Sequence, residues 1–124
     1  MELGMIGLGR MGGNMAQRLV RGGHRVAGFD RDPDTLNEIK VKGIVPATTL
    51  EALINELKPP RTFWLMIPAG APVDETLGSL LPLLSADDVI IDGGNSNYKD
   101  TQHRGQMLAA SQLHYIDVGT SGGV

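Results

Sequence analysis

A chain of 124 residues has room for one domain with a moderate core, and 41% hydrophobic with 20% charged residues is the balance of a soluble globular protein. The formal net charge of −3 argues against a general binder of nucleic acid or of membrane surfaces, and the absence of cysteine excludes a disulfide framework and a zinc ribbon. The stretch MELGMIGLGR has no basic segment ahead of its apolar one, and no apolar run reaches the roughly 18 residues of a membrane span, so the expectation is a cytoplasmic domain over 1–124.

In chain order, LGMIG (Leu3–Gly7) reads as a first buried strand, compact and apolar. A helix is expected from Arg10 to Arg21, with Met11, Met15 and Leu19 at helical spacing and Gly22–Gly23 as its stop. HRVAGF (His24–Phe29) is the second strand. The next helix opens at RDPD, where Asp32 can cap and Pro33 suits the first turn, and runs toward Gly43. KGIVPA holds a very short strand. In TTLEALINEL, Thr48 with Glu51 three residues on forms a capping box, and the helix ends before Pro59–Pro60. TFWLMI (Thr62–Ile67) is a strand, and VDETLGSLLPLL a helix weakened by Gly78 and Pro82. VIIDGG (Val89–Gly94), the helical YKDTQHRGQMLAAS and HYIDVG (His114–Gly119) complete the series. Such alternation predicts an α/β fold: a doubly wound, mostly parallel sheet with helices on both faces. Met15 and Trp64 are expected in the core, and Asp87–Asp88 as a solvated turn. His24, His103 and His114 lack metal-ligand spacing and read as structural or surface residues, so no metal site is expected.

Gly7, Gly9 and Gly12 stand as G-x-G-x-x-G between the first strand and the first helix, where that spacing has a mechanism. Gly7 allows the tight turn, Gly9 lets a pyrophosphate approach the backbone, and Gly12 lets helix and strand pack closely. The N–H groups of Leu8, Gly9, Arg10 and Met11 are then expected to face the phosphates at the positive end of the helix. Asp30 closes the second strand 18 residues after Gly12, at the place of the acid that accepts the ribose hydroxyls. Its carboxylate would repel the extra 2′-phosphate of NADP, so NAD is expected in preference, although Arg31 could pair with that phosphate. A Rossmann-type NAD-binding domain is the resulting expectation.

Three more stretches, FWLMIPAG (Phe63–Gly70), IIDGGNSNYKDT (Ile90–Thr101) and DVGTSGG (Asp117–Gly123), each close a strand. With MIGLGRMGGNMAQRL they make the whole chain resemble the N-terminal nucleotide-binding portion of the decarboxylating 6-phosphogluconate dehydrogenases, in their short NAD-preferring bacterial form. The DGGNS segment is its most specific part. The resemblance implies oxidative decarboxylation of 6-phosphogluconate to ribulose 5-phosphate in the pentose phosphate pathway. It implies that Ile67, Pro68 and Ala69 line the cofactor groove and that Asn95 sits between nicotinamide and substrate. Ser121, Gly122 and Gly123 would bind the sugar acid. Many NADP-using relatives carry Lys where this chain has Pro68, a second pointer to NAD. Asn95 and Ser121 also suit ordinary turns, where Asn and Ser bond their own backbone. The family's catalytic lysine and glutamate fall beyond Val124, as does the helical domain that builds its oligomer, so no catalytic residue is assigned and the chain alone is expected to be inactive. A 3-hydroxyisobutyrate-type dehydrogenase and a non-enzymatic NAD-binding module are the alternatives.

Overall fold

Six strands form one sheet: β1 (Glu2–Ile6), β2 (Arg25–Phe29), β3 (Val45–Ala47), β4 (Thr62–Leu65), β5 (Val89–Asp92) and β6 (His114–Asp117). The computed structural model describes residues 2–67, 70–93 and 98–118, without the side chains of Arg10, 98–101 and Asp117. The strand order is β3-β2-β1-β4-β5-β6 and every neighbouring pair is parallel. Ile6 pairs with Phe29 on one side and Leu65 on the other, and Leu65 pairs with Asp92, so the carboxyl ends of the four strands finish level. The chain steps outward from β1 to β3, then returns to the other side of β1 at β4. That reversal opens a crevice above the ends of β1 and β4, where open α/β sheets take their ligands.

The helices are α1 (Arg10–Arg21), α2 (Pro33–Lys40), α3 (Leu50–Asn55), α4 (Ala71–Leu80) and α5 (Tyr98–Ala109). α2 starts as its sequence predicts: the Asp32 side chain accepts the Asp34 N–H at 3.0 Å, with Pro33 in the first turn. α3 starts one residue later than expected. Thr49, not Thr48, is its cap, accepting the Ala52 N–H through Oγ1 at 3.0 Å. β3 extends to Ala47, so Thr48 is spent on the bend, and Glu51 is no longer placed to close a capping box. α4 tightens into a 3-10 turn at Leu81–Leu83, where Pro82 has no N–H to continue the ladder.

Right-handed crossovers put α1 and α2 on one face and the remaining helices on the other, and the core divides accordingly. Leu3, Met5, Val26, Leu36 and Ile39 pack with half-buried Met15, Leu19 and Trp64 on the first face. Phe63, Leu65, Ile90, Leu53, Leu77 and Leu108 pack on the second. Trp64 and Phe63, adjacent in β4, point to opposite faces, as the strand's period of two requires. Trp64 Nε1 finds its partner in Met66 Sδ at 3.0 Å.

The acid pair before β5 is not a solvated turn. Asp88 is fully buried: it accepts the N–H groups of Arg61 at 2.6 Å and Ser85 at 2.9 Å, with Arg61 Nη1 at 3.4 Å. It thereby ties the entry of β4 to the entry of β5. Asp87 is exposed at φ 72°, with His114 Nε2 at 3.4 Å. His103 is exposed and His24 half-buried. Among the described residues, no group of three His, Cys, Asp or Glu is arranged to hold a metal ion, and no helix is long and apolar enough to cross a membrane.

Candidate functional site

The glycine run performs two separate tasks. Gly7 leaves β1 at φ 92°, and a Cβ there would strike the Met66 carbonyl oxygen. A Cβ on Gly12 would overlap the Gly7 carbonyl oxygen, where α1 crosses the turn. Both positions are glycine because the protein's own backbone passes through the space. Gly9 differs: it is exposed, with φ −61° and ψ −171°, and a Cβ there would meet nothing within 4 Å. Nothing in the packing requires glycine at that point, and its bare face is open to a ligand laid across it.

Gly9 precedes α1 without a side-chain cap, and the first intrahelical bond runs from Gly13 N–H to Gly9 O at 2.7 Å. The N–H groups of Gly9, Arg10, Met11 and Gly12 stand ahead of that bond, at the positive end of the helix. Leu8 is not among them, contrary to its predicted role. Its N–H donates to Asp30 Oδ2 at 2.8 Å, because β2 lies beside β1 and brings the carboxylate under the turn. Asp30 Oδ1 accepts the Asp32 N–H at 2.9 Å. A carboxylate offers about four acceptor sites, so roughly one on each oxygen is left for two vicinal hydroxyls. The Asp30 side chain thus braces the glycine turn from the end of β2, a task the sequence did not mark.

The crevice is a cleft of about 270 Å³ running from Asp30 and Arg31 over Gly7 and Gly9 to Met66 and Ile67. Arg31 is exposed at one end, and Ile67 lines the other. Thr76 of α4 also lines the cleft, with Oγ1 donating to Pro72 O at 2.8 Å; nothing in its helical context signals that place. A larger depression of about 450 Å³ lies along α1 beside Met11, Asn14, Met15 and Arg18. Met11 is 56% exposed there. Pro68, Ala69, Asn95, Ser121, Gly122 and Gly123 lie outside the described residues, as does the Arg10 side chain. Gly93 is described, and a Cβ on it would run into Trp64 Nε1 and Met66 Sδ, so the glycine after Asp92 answers to packing.

A buried arginine that the sequence did not single out lies beneath the β4 and β5 ends. Arg104 Nε donates to Asp74 Oδ1 at 2.8 Å and its Nη2 to Gly70 O at 3.3 Å, while Nη1 lies 3.8 Å from Asp92 Oδ2. Tyr115 Oη donates to the same Asp92 oxygen at 2.6 Å. The Arg104 hydrogen bond holds the Asp74 carboxyl below its usual range. Burial, then the bond to Asp92, raises the Tyr115 hydroxyl above its ordinary value of 10.0. A group whose folded pKa is raised stabilises fully below its unfolded pKa and loses that contribution as pH rises through the folded one. The melting temperature should therefore fall as pH climbs above about 10, and less steeply in Tyr115→Phe, as thermal melts followed by circular dichroism would measure.

A family model described as the NAD binding domain of 6-phosphogluconate dehydrogenase matches residues 2–124. The NAD(+)-dependent, decarboxylating 6-phosphogluconate dehydrogenase of Haloferax volcanii is 42% identical over 123 residues, covering 99% of this chain and 40% of its own. Among solved structures, 6-phosphogluconate dehydrogenase of Plasmodium falciparum, described in apo form and with NADP+ or 6-phosphogluconate, has a TM-score of 0.83 at 31% identity. It covers 93% of this chain and 26% of its own. The 3-hydroxyisobutyrate dehydrogenase of Mycobacterium tuberculosis has a TM-score of 0.84 at 22% identity over 98% of this chain and 42% of its own, and shares the fold. The chain spans less than half the length of the curated relatives it matches.

Proposed function

The chain belongs to the family of NAD-binding domains of 6-phosphogluconate dehydrogenase, and on that premise we propose that it binds NAD(H) in preference to NADP(H), as the cofactor-holding portion of an enzyme that oxidises and decarboxylates 6-phosphogluconate to ribulose 5-phosphate. The observation that carries the cofactor reading is the Asp30 carboxylate at the end of β2, held by two backbone N–H groups with acceptor capacity left on each oxygen. The bound dinucleotide supplies the hydride acceptor. The bare face of Gly9 and the N–H groups opening α1 would receive its pyrophosphate, and Ile67 would flank its nicotinamide end.

Asn95 and the Ser121–Gly123 stretch complete this reading as contacts to 6-phosphogluconate. The catalytic base and acid belong, in this proposal, to the part of the longer relatives that this chain does not match, together with the surfaces that make the enzyme an oligomer. The 124 residues alone are then expected to reduce no NAD with 6-phosphogluconate.

Calorimetric titration with NADH and NADPH tests the preference, and tighter NADPH binding would overturn it. Asp30→Asn refines the test. Asparagine keeps one acceptor oxygen but sets an NH₂ against one of the two N–H donors, so the turn itself weakens. The informative quantity is therefore the ratio of the two affinities. Repulsion between unit charges about 4 Å apart is worth about 1 kcal/mol in water and about 4 kcal/mol at a partly buried site. The ratio should move toward NADPH by roughly tenfold.

A further inference from the structure

The cofactor reading leaves the buried arginine without a task. Arg104 is 1% exposed, and placing a guanidinium in the interior costs several kcal/mol that pairing rarely more than offsets. An apolar residue would fill that space at less cost, so packing does not account for it. Its contacts point elsewhere. Nε holds Asp74 in the first turn of α4, and Nη2 holds the carbonyl of Gly70, the residue from which α4 starts. Nη1 has no hydrogen-bond partner among the described residues and faces Asp92, the last residue of β5, by charge at 3.8 Å. The same Asp92 oxygen accepts the Tyr115 hydroxyl of β6, and the Gly93 N–H donates to Leu65 O at 2.9 Å.

Gly70 ends the connection from β4 to α4, and Asp92 begins the connection from β5 to α5. Both leave carboxyl ends of strands on the far side of β1 from Asp30. One planar group therefore touches a foot of each connection. We propose that Arg104 is a positioning residue that sets the spacing between the start of α4 at Gly70 and the end of β5 at Asp92, and through them shapes the nicotinamide end of the cleft without touching the cofactor. The effect on the cofactor rests on the reading given above; the effect on the connections does not. A guanidinium suits the task because its nitrogens diverge in a fixed fork, whereas a lysine ammonium carries its three donors on one atom and does not reproduce the Nε and Nη2 positions that bond Asp74 and the Gly70 carbonyl.

The test uses the 124-residue chain as wild type, Arg104→Lys and Asp74→Asn, the last at an exposed side chain. Amide hydrogen exchange should quicken about tenfold in peptides covering Gly70–Leu77 and Val89–Gly93 of Arg104→Lys, with no change in those spanning Met5–Gly13. Asp74→Asn should show the same pattern more weakly. NADH should bind Arg104→Lys about tenfold more weakly than wild type, while ADP-ribose, which lacks the nicotinamide, stays within about twofold. Exchange that rises everywhere, or nowhere, overturns the proposal, as does a parallel loss of NADH and ADP-ribose. Should wild type bind neither ligand, the cofactor reading falls, and the exchange pattern alone decides whether Arg104 sets the spacing.

Discussion

Replacing Gly12 with alanine should cost about 3 kcal/mol or more of stability, while the same change at Gly9 should stay within about 1 kcal/mol. The two glycines belong to one sequence fingerprint but meet different surroundings. At Gly12 the new methyl would overlap the Gly7 carbonyl oxygen, so helix and turn must separate and the packing of α1 on β1 loosens. At Gly9 the methyl enters open space and the backbone angles suit alanine. The lost cap preference there is offset by reduced freedom of the unfolded chain. Affinity should reverse the ranking: Gly9→Ala stays folded but binds NADH at least tenfold more weakly, because its methyl stands where the pyrophosphate would lie. Urea denaturation followed by the single tryptophan, Trp64, with calorimetry on both variants, reads the two effects separately. Equal stability losses, or undiminished NADH binding by Gly9→Ala, would reduce the fingerprint to a folding feature.

Asp88→Ala should be as damaging, at about 3–5 kcal/mol. The carboxylate is buried and collects two backbone N–H groups and the Arg61 guanidinium, itself only 12% exposed. Truncation strands all of these donors together. Asp88→Asn, which keeps one acceptor, should lose less, and Asp87→Asn should be nearly silent, since asparagine tolerates the positive φ of that exposed turn residue. The midpoints of urea unfolding for the three variants decide the order. A silent Asp88→Ala would show that Arg61 finds another partner.

What the sequence made legible was whatever depends on neighbours along the chain. Strand and helix alternation, the Asp32 cap, the glycine turn and the acid at the end of β2 follow from local period, backbone freedom and capping chemistry. What it hid depends on partners far apart in sequence. Asp87 and Asp88 are chemically identical on paper, and only the approach of Arg61, 27 residues earlier, buries one of them. Arg104 belongs to a polar helical segment and looks solvated until Asp74, Gly70 and Asp92 converge on it. The Leu8 N–H is a backbone donor with no sequence mark, claimed by an acid 22 residues away. The Thr48–Thr49 slip has another origin: two adjacent threonines cap equally well, and the length of β3 chooses between them.

The bond from Leu8 to Asp30 has a consequence for how association is shared between enthalpy and entropy. Fixing one residue's backbone costs about 1–2 kcal/mol of conformational entropy. Because the chain braces its own phosphate turn, that loss falls on folding, and a dinucleotide meets a turn already in shape. Binding should accordingly carry a smaller entropic opposition than in a variant whose turn is left loose. On the proposed cofactor reading, the same brace makes the acid a structural hinge pin as well as a selector. Any attempt to convert the protein to NADP by replacing Asp30 slackens the turn beneath the pyrophosphate, so a successful conversion needs a second change that restores a partner for the Leu8 N–H.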